Sequence, residues 1–166
     1  MKYAIVYSSK TGNTKMLADK IASLMPQEEC IYQGEPTSEA LNAELIFVGF
    51  WTNQGQCDSE TKEFFDTLTN QKVFVFGTAG FGSQQAYLDN VLKKSESLLP
   101  KSVEIIGDFI CQGKMPLPVR QRYEKMLDNP QQKAKAQMLI DNFDMASGRP
   151  NCDDLNNLEN KIKGIL

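Results

Sequence analysis

The chain has 166 residues, 41% of them hydrophobic and 23% charged, with a net charge of −3. That length supports one domain with its own core, expected here over residues 1–166, and so mild a charge offers neither a basic footprint for nucleic acid nor a strong field for steering a partner. Histidine is absent, which excludes Ser-His-Asp and Cys-His catalysis and every histidine-bearing metal site.

Strands and helices alternate along the chain. Residues 2–7 form a compact apolar run, too short for a signal-peptide core or a membrane span, and read as the first strand. No other apolar stretch is long enough to cross a bilayer, so a cytoplasmic protein without a membrane partner is expected. Leu17, Ile21 and Leu24 then recur at helical spacing, and Pro26 stops that helix. Residues 29–32 are a short second strand. Residues 44–50 are apolar without alternation, which suggests burial on both faces, as in a parallel sheet.

Thr61, Phe64, Phe65 and Leu68 mark one face of the next helix, with Asp58 or Ser59 as its N-cap. Residues 72–76 are the fourth strand, Tyr87, Leu88, Val91 and Leu92 stripe a helix, and residues 103–111 are the fifth strand. Right-handed crossovers turn this succession into an α/β fold, an open parallel five-stranded sheet with helices on both faces. Met115-Pro116-Leu117-Pro118 ends any strand. Short helices then follow around Val119, Tyr123 and Met126, around Ala136 to Phe143, and around Leu155, Leu158 and Ile162. They make a C-terminal helical segment over about residues 115–166. Cys30, Cys57, Cys111 and Cys152 have neither a CxxC pair nor a zinc-like spacing, and read as separate reduced thiols with no metal site.

Ligands of open α/β sheets bind beyond the carboxyl ends of the strands, where connections diverge. The first such loop is Ser8-Ser9-Lys10-Thr11-Gly12-Asn13-Thr14, at the mouth of a helix. Gly12 lets the backbone come close to a ligand, and the free N–H groups at the helix start favour an anion. The dipole contributes only about 0.3–1 kcal/mol, so the hydroxyls of Ser9, Thr11 and Thr14 are expected to add hydrogen bonds. An ordinary capped loop could use the same residue types. Its place between a buried N-terminal strand and a well-patterned helix favours the phosphate site. A Walker loop needs a lysine where Asn13 stands, and a dinucleotide fingerprint needs more glycines than Gly12 alone.

The run Ser9-Lys10-Thr11-Gly12-Asn13-Thr14 resembles the flavodoxin phosphate loop, [S/T]-x-T-G-x-T. The resemblance spans roughly residues 1–110 and implies the strand order 2-1-3-4-5 and FMN as cofactor. Flavodoxins, with FMN at the switch point between the first and third strands, are a known instance of the crevice rule.

The other flavin loops follow by position. After the third strand come Phe50, Trp51, Thr52, Asn53 and Gly55. Flavodoxins place an aromatic here, which Trp51 matches, and often a glycine whose peptide can flip toward the flavin N5, for which Gly55 is the candidate. An indole stacked on the ring contributes about 0.5–1.5 kcal/mol beyond burial. After the fourth strand come Gly77, Thr78, Ala79, Gly80, Phe81, Gly82 and Ser83, with Phe81 where the family usually carries a tyrosine. Gln112-Gly113-Lys114, after the fifth strand, could border the site. No residue is singled out as catalytic, because a flavin performs the redox step itself.

The resemblance implies an electron carrier, passing electrons between a donor reductase and an acceptor enzyme, more than a stand-alone oxidoreductase. Two alternatives stay open. One is an FMN-dependent NAD(P)H/quinone- or porphyrin-type reductase, whose substrate pocket the long C-terminal segment would enclose. The other is a non-catalytic subunit without flavin.

Overall fold

The three central strands are apolar at almost every position, because helices cover both of their faces. In a computed structural model that describes residues 1–82 and 84–166, these are β1 (Tyr3–Tyr7), β3 (Leu45–Asn53) and β5 (Lys72–Ala79). With β2 (Cys30–Gly34) and β6 (Glu104–Gln112) they form a parallel sheet ordered β2-β1-β3-β5-β6. This is the expected 2-1-3-4-5 arrangement with one addition. A two-residue strand, β4 (Gln56–Cys57), folds back antiparallel on the end of β3. The edge strand β2 alternates between half-buried and exposed residues, as a strand with less cover should.

Successive side chains along each strand point to opposite faces. On one face Tyr3, Ile5, Phe47, Phe74 and Phe76 pack with Leu17 and Ile21 of α1 (Asn13–Leu24) and with Leu158 and Ile162 of α6 (Cys152–Ile165). The Tyr3 and Phe47 rings meet edge to face, 6.0 Å apart at 88°. On the other face Val6, Ile46, Val48, Phe50, Val73 and Val75 pack against α2 (Ser59–Phe65) and α3 (Gln85–Glu96). Of the two candidate caps, Asp58 is the one used: its carboxylate accepts the Thr61 N–H at 3.2 Å.

The C-terminal segment divides in two. The last helix, α6, is a layer helix of the sheet. It opens with a reciprocal cap between Asn151 and Asp154 and is tied to α1 by Lys20 and Glu159 at 2.6 Å. Between β6 and α6 stand α4 (Leu117–Met126) and α5 (Lys133–Ala146), which pack on each other. Arg120 of α4 joins Asp144 of α5 at 2.9 Å. The base of this excursion is closed by a main-chain hydrogen bond from Lys114 N–H to the Arg149 carbonyl at 2.9 Å.

Candidate functional site

The connections from β1 and β3 leave in opposite directions, one toward β2 and the other toward β5. A crevice must open between their carboxyl ends. A cleft of about 400 Å³ lies there, within the range of small-molecule sites. A larger open depression of about 510 Å³ runs between α3, β6 and α6. It borders none of the β1, β3 or β5 loops, so the topology favours the smaller cleft.

The first loop enters α1 through Gly12, whose φ of 88° is left-handed and whose carbonyl accepts the first helical bond, from Met16 N–H at 3.0 Å. The Asn13 and Thr14 amides precede that bond and carry no protein partner among the described residues, which leaves them for an anion. Thr11 is exposed beside them. Two hydroxyls expected to face a ligand are instead engaged by the protein. Ser9 Oγ accepts the Lys15 N–H at 3.2 Å. Thr14 is buried, donates to the Phe50 carbonyl at 3.0 Å and meets Thr78 Oγ1 at 3.1 Å. Ser8 is turned away entirely and donates to Glu60 at 2.9 Å.

Asn13 connects this loop to the one after β6. Its Nδ2 donates to the Lys114 carbonyl at 2.8 Å, while its Oδ1 is buried with no hydrogen-bond partner among the described residues. A Cβ at position 113 would stand 2.6 Å from Asn13 Nδ2, so any other residue there must displace the Asn13 side chain. A buried acceptor without a donor is costly, by about 1–3 kcal/mol, and a bound hydroxyl would relieve it.

Trp51 lies half-buried at the carboxyl end of β3, with its backbone N–H donating to Asp58 Oδ1 at 3.3 Å. The Lys10 ammonium sits 4.9 Å from the centre of its ring, within cation–π distance. Thr52 Oγ1 donates to the Thr78 carbonyl at 2.8 Å, holding the β3 and β5 loops together. Gly80 closes the floor. Its carbonyl accepts from Gln112 at 3.0 Å and from Asn142 of α5 at 3.1 Å, and Met115 packs where its side chain would be.

Of the expected residues, Ser9, Lys10, Thr11, Asn13, Thr14, Trp51, Thr52, Thr78 and Gly80 line the cleft, and Gly12 shapes its loop. Gly113 and Lys114 border it too. Phe50 and Ala79 need correcting: both side chains belong to the core, and the Phe50 ring fills the space that a Cβ on Gly77 would need. Neither lines the cleft. Asn53 ends β3, paired with Gln56, and Gly55 lies in the two-residue turn into β4, where Gln54 and Gly55 take successive positive φ of 53° and 82°. Neither reaches the cleft, and nor do Phe81, which is 40% exposed, or Gly82. Ser83 lies outside the described residues. The sequence reading missed Met115, Pro116 and Val119, which also line the cleft. The proline pair reads as a strand terminator and gives no sign of the direction in which α4 turns.

The walls combine neutral donors, one indole face and two lysines, Lys10 and Lys114, with no carboxylate among the lining residues. That donor set suits a phosphomonoester with a flat aromatic group and hydroxyls between them. Among the described residues no helix is long and apolar enough to cross a membrane.

Comparison with known proteins agrees with this architecture. Residues 4–163 match the model of the flavodoxin domain. A flavodoxin-like domain-containing protein, BilS of Clostridium symbiosum, is 38% identical over 93% of this chain and 90% of that protein. Among solved structures, a short-chain flavodoxin associated with a bacterial microcompartment superposes with a TM-score of 0.59 at 14% identity, over 99% of this chain and 96% of that one. A Lactobacillus acidophilus flavoprotein solved in complex with FMN gives a TM-score of 0.50 at 17% identity, over 66% of this chain and 92% of that one. The matched domain covers the phosphate loop, the indole-bearing strand end and all but the last residues of the closing helix, and the chain belongs to the flavodoxin family.

Proposed function

We propose that this protein binds FMN in the cleft at the β1/β3 crevice and carries electrons between a reductase and an acceptor enzyme. The observation that carries the reading is the convergence of four loops on one cleft. Unbonded amides, the orphaned Asn13 Oδ1 and Trp51 all belong to residues that line it. FMN meets each with a phosphate, ribityl hydroxyls and a flat ring, and supplies the electron-accepting chemistry.

The chain's own residues bind and orient. The Asn13 and Thr14 amides and the Thr11 hydroxyl take the phosphate, and Asn13 Oδ1 accepts from a hydroxyl. Trp51 offers its face to the ring, and Met115, Pro116 and Val119 keep water from it. A cytoplasmic setting belongs to the same reading, and the four free cysteines are in keeping with it.

The first test is the visible spectrum of protein incubated with FMN, before and after dithionite. Saturable yellow colour bleached by the reductant is expected, and a protein that stays colourless refutes the reading. Anaerobic mixing of the reduced protein with candidate acceptors should then reoxidise the flavin quickly.

A second reading, an FMN-dependent oxidoreductase, is favoured by one feature. The α4–α5 excursion walls one side of the cleft, as a substrate pocket would require. Rapid steady-state turnover of NADH or NADPH with a quinone, without any acceptor protein, would select it over the carrier.

A further inference from the structure

Lys10 holds a position that the fold does not need. It is exposed, makes no ion pair among the described residues, and places its ammonium 4.9 Å from the Trp51 ring centre. Lys114 is the other charged residue of the cleft wall, which contains no aspartate or glutamate, although the chain as a whole carries a net charge of −3. Two carboxylates bond to residues of the first and third strand ends. Asp58 is buried and accepts from the Thr61 N–H and hydroxyl and from the Trp51 N–H. Glu60 accepts from Ser8. Bonds from neutral donors leave both charges in place, so Lys10 is the cation that opposes them beside the indole.

We propose that Lys10 sets the reduction potential of the bound FMN. The inference rests on the FMN reading above and on Trp51 facing the ring. An electron that reaches the ring without a proton leaves it one unit more negative, and a cation beside Trp51 stabilises that charge. A unit charge beside the stacking indole, acting through a partly hydrated path, contributes roughly a fourfold preference for the reduced over the oxidised form. Converted at 59 mV per tenfold for one electron, that is ~35 mV.

The test compares the wild-type FMN complex with Lys10→Met and Lys10→Arg by redox titration at low and high salt. Lys10→Met should lower the potential by ~35 mV at low salt and by less at high salt, because added ions screen an exposed charge. Lys10→Arg should restore the wild-type value. An unmoved potential in Lys10→Met, or an equal fall in both variants, overturns the inference. A wild-type protein that takes up no FMN would instead sink the function proposed above. A yellow wild type whose potential ignores Lys10 refutes this inference alone.

Discussion

Replacing Thr14 by valine keeps the shape of the side chain and removes the hydroxyl that ties α1 to two strands. That hydroxyl donates to the Phe50 carbonyl at 3.0 Å and pairs with Thr78 Oγ1 at 3.1 Å, in a residue only 1% exposed. Valine leaves both partners in place without the hydroxyl, and a buried group stripped of its partner costs about 1–3 kcal/mol. For a protein of this size, a loss of about 2 kcal/mol lowers Tm by roughly 4–8 °C. Thr11→Val is the matched control, because Thr11 is exposed and surface changes usually stay within about 0.5 kcal/mol. Its loss should fall on FMN, since a hydrogen bond to a charged group contributes about 1.5–3 kcal/mol, roughly 10–100-fold in affinity. Thermal unfolding followed by circular dichroism, with FMN titration of each variant, separates the two effects. A Thr14→Val protein as stable as wild type, or a Thr11→Val protein that binds FMN normally, would refute the division of labour between these threonines.

Glu96 supplies a pH test. Burial, and then a hydrogen bond that the protonated carboxyl donates to Asp108 and repulsion by that carboxylate, push it up to about 8. The folded state therefore holds a proton that the unfolded chain releases near 4.5, so its contribution is complete at acid pH and is lost as pH rises toward 8. Glu96→Gln should flatten that slope and raise stability at pH 9 by about 1 kcal/mol after allowance for solvent screening, as read from urea unfolding at pH 5, 7 and 9. Gly113→Ala should drive Asn13 off the Lys114 carbonyl, since its Cβ would lie 2.6 Å from Asn13 Nδ2; overpacking of this kind costs about 1–3 kcal/mol, visible in denaturant midpoint and in FMN affinity. Trp51→Ala should weaken FMN roughly tenfold and shift the flavin absorption bands, and a spectrum identical to wild type would mean that the indole does not face the ring.

The sheet was legible because β1, β3 and β5 are apolar on both faces, a pattern that only a covered parallel strand requires. The phosphate loop was legible because Gly12 and its neighbours stand at a strand-to-helix junction. Phe50 was misplaced although its phase was available. It falls in step with Ile46 and Val48, so it shares their core face, whereas Trp51 is out of step with them. The Asn13–Lys114 bond links residues 101 positions apart, and no local pattern reports such a pairing. Nor does periodicity show that β3 would end in the hairpin turn that withdraws Asn53 and Gly55, because two residues of β4 are too few to form a pattern.

The Lys114–Arg149 hydrogen bond means that the chain leaves the sheet and returns to it at nearly the same point. Residues 115–148 thus hang from a closed neck, and the strands beneath do not depend on their length. Since closure entropy grows only with the logarithm of loop size, the length of this excursion can change at little entropic cost, provided that the bonds of Asn142 to Gly80 and Gln112 are kept. Descendants of such a scaffold would be free to rebuild one bank of the crevice, and with it the choice of what docks there, while the opposite bank stays as it is.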